Sequence, residues 1–456
     1  MLKEAVDYYH SLLEDHDLAA ASYNVLHDGM EQNKLIFGGR PLSPYLRPHF
    51  VTEEDWARTE RICEVIWAAL QKVKDAAIAD DSMLDELGVT EIERELVKID
   101  PKYSQVSPTA RLDSFLTNDT YSFVELNGES PAGIAYADSA TAIFESLPVM
   151  KQFGERYDFR GFDGSPKLLD VLISCWDEFC DGKADRKPLI AIVDLKDLPT
   201  QKEFELFRDY FEKQGYDAVI CSPQELEFDD GKLYLGSVAI DVVYKRLLVN
   251  EYLPIMNQYP ALLDACRAGA ICMVNSFRGK LVHKKAIFAV LTNEKYSHLF
   301  DGAELSAIAA HVPWTRKFRE GSTVNKGERI DLIEWTRANS GKLVLKPNDD
   351  YGGHGIYIGW NSSRAEWDEA IDLALANGDY LVQERVKTAK EMFPMIFDEF
   401  GKWGMIEQLV DLDPLLFNGK VGSAFTRLSS NELANVTAGG GMVPTFIISK
   451  KQSLIR

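Results

Sequence analysis

The chain reads as a mixed α/β (α+β) protein, and three observations point there. Apolar residues recur at helical spacing through the first hundred positions. Short alternating segments broken by turn formers follow between 101 and 138. From 188 onward, apolar β-branched runs alternate with amphipathic stretches. With 456 residues, 46% of them hydrophobic and 27% charged, the chain is long enough for several domains with substantial cores.

Taken in order, residues 1–100 form an N-terminal helical region. Thr52 and Asp55 are spaced like a capping box ahead of Trp56, Cys63, Ile66, Trp67, Leu70 and Val73, which make a core-facing stripe. Residues 101–187 hold a hairpin, RLDSFL and YSFVELN around Asn118, Asp119 and Thr120, and then helices from Ser139 to Asp185 joined through Arg160 to Ser165. Residues 188–278 read as a small α/β domain. A strand (LIAIV) leads to a helix bearing Phe204, Phe207 and Phe211 and stopped by Gly215; strand YDAVIC, a turn at Asp229 to Gly231 and a further strand AIDVVYKRLL follow. Residues 279–456 alternate helix and strand, with glycine punctuation at YGGHGIYIG and TAGGG.

Composition excludes several classes. Fifty basic against 71 acidic residues leave a net charge of −21, which opposes attraction to nucleic acid or anionic lipid. Apolar runs such as Ala286 to Leu291 fall far short of a bilayer span, and MLKEAVDYYH lacks the features of a signal peptide, so a cytoplasmic protein is expected. The six cysteines are scattered without a C-x-x-C pair and read as reduced, mostly buried thiols. Walker, zincin and G-x-S-x-G signatures are missing, and the first strand-to-helix junction of residues 188–278 lacks G-x-G-x-x-G.

Four groups of residues could carry chemistry. In the hairpin, a turn about Asp119 places Asp113 opposite Glu125 and Arg111 opposite Asn127, on one face. Two carboxylates so placed repel by about 3 kcal/mol at an effective dielectric of about 20, a cost that a bound dication reverses. Asp, Glu and Asn oxygens suit magnesium, while an acidic hairpin face in solvent with Arg111 as counterion explains the same spacing.

In KLVLKPNDDYGGHGIYIG, Lys346 shares a strand face with Val344 and leads into a loop holding Gly352, Gly353 and Gly355. Such a loop cradles phosphates or merely turns a hairpin. His354 reads as a mobile loop residue, with a phosphate contact as the alternative, and Asp349 and Asp350 are expected to point to solvent. The strand DYLVQERV ends in Gln383 and Glu384, a spacing compatible with reading adenine and ribose and equally with an ordinary strand end. Finally, Arg427 with Asn435 and the run Gly439 to Gly441 could meet an anion and form a tight loop, or serve structure alone. Tyr244, Lys245 and Arg246 are weaker candidates for an anionic substrate, with surface salt bridges as the alternative.

Together these residues resemble the ATP-grasp ligases, in particular the circularly permuted branch that includes the synthetase domain of glutathionylspermidine synthase and stand-alone bacterial proteins. The resemblance is carried by Arg111-x-Asp113 followed by Glu125-x-Asn127, by K-K-A-I-F with Lys285, by Lys346-Pro347 with its glycines, and by Glu125 preceding Lys346 along the chain. It implies a permuted ATP-grasp fold with a pre-ATP-grasp α/β domain at 188–278. It also implies two magnesium ions on Asp113, Glu125 and Asn127, and ATP contacts from Lys285, Lys346, Gly352, Gly353, Gln383 and Glu384. Arg111 and Arg427 would stabilise the transferring phosphoryl group. The expected activity is ATP-dependent amide formation between a small-molecule or peptide carboxylate and an amine, through an acyl phosphate. Its rival is a nucleotide-binding regulatory or scaffolding protein of the same fold without turnover.

Overall fold

A computed structural model describes residues 1–37, 40–350, 353–398, 400–431 and 440–451. The N-terminal region is helical over Leu2–Leu12, His16–Gln32 and Glu53–Ala79. The last of these begins where the sequence requires, with Thr52 Oγ1 accepting the Asp55 N–H at 3.0 Å. Its stripe of Trp56, Cys63, Ile66, Trp67, Leu70 and Val73 is buried. What helical periodicity misses is the strand His49–Thr52, four residues immediately before that cap. It runs parallel to Gly441–Lys450, a partner almost 400 positions away that no local pattern announces.

That pairing belongs to the largest sheet, ordered His49–Thr52, Gly441–Lys450, Lys420–Ser429, Trp403–Phe417, Thr109–Leu116, Tyr121–Asn127. Tyr157–Arg160 also pairs with Gly441–Lys450, so a strand interrupts what the sequence suggests is a helical stretch from 139 to 185. The flanking helices are Ile134–Ser146, Pro148–Phe153 and Gly164–Phe179.

Residues 190–274 form a four-stranded parallel sheet, ordered Cys272–Val274, Val242–Lys245, Ile190–Val193, Ala218–Cys221. Phe204, Phe207 and Phe211 of helix Gln201–Lys213 are buried in the core beside it. The hairpin after Cys221 stands apart in its own sheet of Leu226–Asp229, Lys232–Leu235 and Val238–Ile240. A further antiparallel sheet carries Thr315–Lys317, Tyr380–Glu384, Leu343–Pro347 and Tyr357–Ile358. One buried side chain ties the large sheet to the parallel one. Asn275 accepts from Thr109 N–H at 3.0 Å and donates to the carbonyls of Thr109 and Gly128 at 2.7 and 3.1 Å, fixing both ends of the 109–127 hairpin.

Five cysteines are buried and Cys180 is half-buried, all as free thiols. No described helix is long and apolar enough to cross a membrane.

Candidate active site

The hairpin has the register that the sequence implies: Asp113 faces Glu125 and Arg111 faces Asn127. A bulge after Asp113 shifts the pairing toward the tip, so the match holds at the carboxylates and not throughout. A solvent-exposed acidic face is not what forms, because Asp113 is only 2% exposed. Arg111 Nε and Arg427 Nη2 donate to its two oxygens at 2.8 and 2.6 Å, and Asn127 Nδ2 donates at 3.1 Å. Burial opposes the charge on Asp113, yet the two guanidinium groups hold its carboxyl well below the usual range. Glu125 takes Lys285 Nζ at 3.0 Å.

Two carboxylates that sequence reasoning overlooked complete this cluster. Asp411 and Asp413 share a face of Trp403–Phe417, and Arg427 sits opposite Asp411 in the neighbouring strand. Arg427 reaches Asp411 Oδ2 at 2.5 Å and Asp413 Oδ2 at 2.8 Å. Oxygens of Asp113, Asp411 and Asp413 lie within 4.8 Å of one another. Burial pushes Asp411 up to about 6, and Asp413 higher still, despite Arg427. The available sequence signal is D-L-D at 411–413, the same i, i+2 spacing as Arg111 and Asp113.

On the opposite wall, Lys346 and Val344 share a strand face as alternation requires, and both line the cavity. Lys346 Nζ donates to Gln383 Oε1 at 2.8 Å and to the Val124 carbonyl at 3.2 Å, so it bridges the small sheet and the 109–127 hairpin. Burial pulls its ammonium down to about 8 against the pull of Glu125. Gln383 also donates to Thr315 Oγ1 at 3.0 Å, and Glu384 pairs with Lys326 at 3.1 Å. Gly353 and Gly355 hold φ of +79° and +66°, the left-handed conformation that favours glycine.

One cavity of about 580 Å³ gathers these side chains. Arg111, Asp113, Glu125 and Asn127 line it together with Lys346, Gly353, Gln383, Glu384 and Arg427. Lys285 stands behind Glu125 and is itself buried. Gly352, Asn435 and Gly439 lie outside the described residues.

Two expectations are overturned. Asp349 does not point to solvent: Lys280 and Lys284 bind it at 2.7 and 3.1 Å, and these cations hold its carboxyl well below the usual range against burial. Both lysines project from the short turn before Lys285, an arrangement no local pattern reveals. Tyr244, Lys245 and Arg246 make no surface salt bridges either. All three are buried, with Lys245 3.7 Å from buried Glu129 and Arg246 3.5 Å from buried Glu203.

No family model matches the chain. It is 24% identical over 342 residues to a protein of Frankia casuarinae provisionally named glutamate–cysteine ligase 2-2, a match covering 71% of this chain and 36% of that protein. A protein of Frankia alni provisionally named glutamate–cysteine ligase 2-3 matches at 24% over 341 residues, with the same coverage. The chain therefore matches well under half the length of these curated relatives. Among solved structures it is similar to a glutathione synthetase-like effector of Globodera pallida in its apo form, with a TM-score of 0.61 at 14% identity, covering 95% of this chain and 97% of that one. This likeness shows the fold, a mixed α/β architecture.

Proposed function

We propose that the chain is an ATP- and magnesium-dependent carboxylate–amine ligase. The observation that carries this reading is the convergence, in one cavity, of the Asp113, Glu125 and Asn127 hairpin with Lys346 and Gly353 from a separate sheet. The fold and the names of the Frankia relatives support it. The permuted order of ATP-grasp segments, and kinship with the synthetase domain of glutathionylspermidine synthase, are part of the same proposal. Both rest on the hairpin preceding the Lys346 strand along the chain.

The donor set fits magnesium, being hard oxygens from Asp113, Glu125 and Asn127, of which the Asp113 and Glu125 carboxylates now neutralise Arg111, Arg427 and Lys285. Two such ions, when bound, would neutralise charge on the phosphates. Lys346 and the Gly353 backbone would hold the triphosphate, and Gln383 and Glu384 the nucleoside. Arg111 and Arg427 would turn from the carboxylates toward the transferring phosphoryl group, stabilising its negative charge. The substrate carboxylate takes the γ-phosphoryl group to give an acyl phosphate. An amine then attacks the acyl carbon, phosphate departs with the bonding electrons, and the nitrogen gives up a proton to that phosphate as the amide forms.

Screening carboxylate and amine pools for ADP release, with mass analysis of products, tests the proposal. Release that requires both pools and yields an amide is expected. A phosphorylated product released without an amine would replace ligation with kinase chemistry. Nucleotide binding without any stimulated turnover would favour the regulatory module.

A further inference from the structure

The end of the cavity away from the nucleotide wall is built at the C-terminal edge of the parallel sheet, where open α/β sheets place ligands. Val193 and Lys245 pair in register on neighbouring parallel strands, so Asp194 and Arg246 follow side by side, and the Arg246 N–H donates to the Val193 carbonyl at 2.8 Å. Both side chains line the cavity although they are only 7% and 4% exposed. They form no ion pair with each other within 4.0 Å.

Arg246 is anchored from behind. Its Nη1 donates to the Pro131 carbonyl at 2.6 Å and to the Tyr244 hydroxyl at 3.0 Å, and Glu203 lies 3.5 Å from Nη2. Its Nε–H, however, has no hydrogen-bond partner, and neither has the hydroxyl of Tyr136, which lines the same end. An unpartnered guanidinium N–H and an unpartnered hydroxyl at one end of a cavity call for an anionic acceptor. Asp194 accepts one hydrogen bond, from the Leu195 N–H at 2.7 Å, and together with Glu251 gives this end two carboxylates that favour a cation. The position is adjacent to the phosphoryl-transfer wall, because Arg111 donates to the Ala132 carbonyl at 3.1 Å, one residue beyond the carbonyl that Arg246 holds.

We propose that this end of the cavity is a subsite for a free α-amino acid head group, with Arg246 and Tyr136 taking the carboxylate and Asp194 the ammonium. The assignment rests on the ligase reading for its place in a reaction but not for its binding chemistry. The head group belongs to either the carboxylate donor or the acceptor amine, and the test separates these sources.

Thermal-shift and calorimetric titrations with the twenty standard L-amino acids are run on the full chain, with and without a nonhydrolysable ATP analogue and magnesium. The best binder is then compared with its amide, which lacks the carboxylate, and with its N-acetyl derivative, which lacks the ammonium. Binding of at least one free amino acid is expected, weakened about tenfold or more in each derivative, as when a charge-assisted contact is lost. Asp194→Asn and Arg246→Gln should weaken it comparably, with circular dichroism and ligand-free melting reporting whether each variant is folded. Asp194→Asn, nearly isosteric, carries the test if Arg246→Gln does not fold. Hydroxylamine trapping of an activated carboxyl from the amino acid alone would make it the donor. ADP release that also needs an added carboxylate would make it the acceptor.

Equal binding of the amide and the N-acetyl derivative, unchanged binding by Asp194→Asn, or no amino acid binding in either nucleotide state would overturn the subsite. A failure of ATP to bind, alongside intact amino acid binding, would instead overturn the ligase reading.

Discussion

Burial shifts Lys346 toward its neutral form while its proposed task requires a charge, and the balance sets a pH window. Its ammonium titrates near about 8, below an ordinary lysine at about 10.4, so it is mostly charged at pH 7 and loses its proton as pH climbs through 8. ATP affinity should therefore fall between pH 7 and 9 in the parent. Lys346→Ala should bind weakly at pH 7 with little further change, read by thermal shift at each pH. An equal ATP shift in variant and parent at pH 7 would remove Lys346 from the phosphate site. The folding linkage runs the other way. Between about 8 and 10.4 the unfolded chain binds the proton and the native one does not, so this group's contribution to stability rises with pH.

Arg427 presents the opposite case, a cation held by three buried carboxylates. Removing it in Arg427→Ala strands Asp113, Asp411 and Asp413 beside Arg111 alone, and loss of one partner from a buried ionic cluster costs about 3–5 kcal/mol. Urea denaturation at pH 7 should show that loss. It should shrink toward pH 5 as the raised carboxylates take up protons.

At the scale of elements, the glycine loop is tethered at its stem. Asp349 binds Lys280 and Lys284, and Asn348 accepts the Ala286 N–H at 2.8 Å and donates to the Leu87 carbonyl at 3.0 Å. Asp349→Asn weakens that hold, so amide exchange over Gly353–Ile358 should quicken and KM for ATP rise more than kcat falls. Unchanged exchange there would show that the stem does not control the loop.

This tether also marks where sequence reading runs out. The Asp113–Glu125 register was legible because a two-residue period and a short turn are local facts. Lys346 on one face with Val344 was legible for the same reason. Asp349 was misread because its partners lie on a distant turn of the chain, and the strand His49–Thr52 was missed because its partner is Gly441–Lys450. Asp411 and Asp413 carried a readable alternation, yet nothing in sequence shows that Arg427 and Asp113 close around them.

For the whole molecule, Gly441–Lys450 is a hub, paired with Lys420–Ser429, His49–Thr52 and Tyr157–Arg160. Deleting residues from 441 onward should abolish cooperative unfolding and leave ATP without a thermal shift. A cooperative melt in the shorter chain would show that the sheet closes without its hub. The same long-range closure bears on how the protein comes off the ribosome. Asp113 waits for Arg427, 314 positions later, a delay of tens of seconds at roughly 5–20 residues per second. Throughout that interval the hairpin's acidic pair is already synthesised but has neither the Arg427 guanidinium nor the later strands that shelter it. Under the ligase reading, a nascent chain consequently cannot spend ATP, and competence arrives in one step when the final strands emerge.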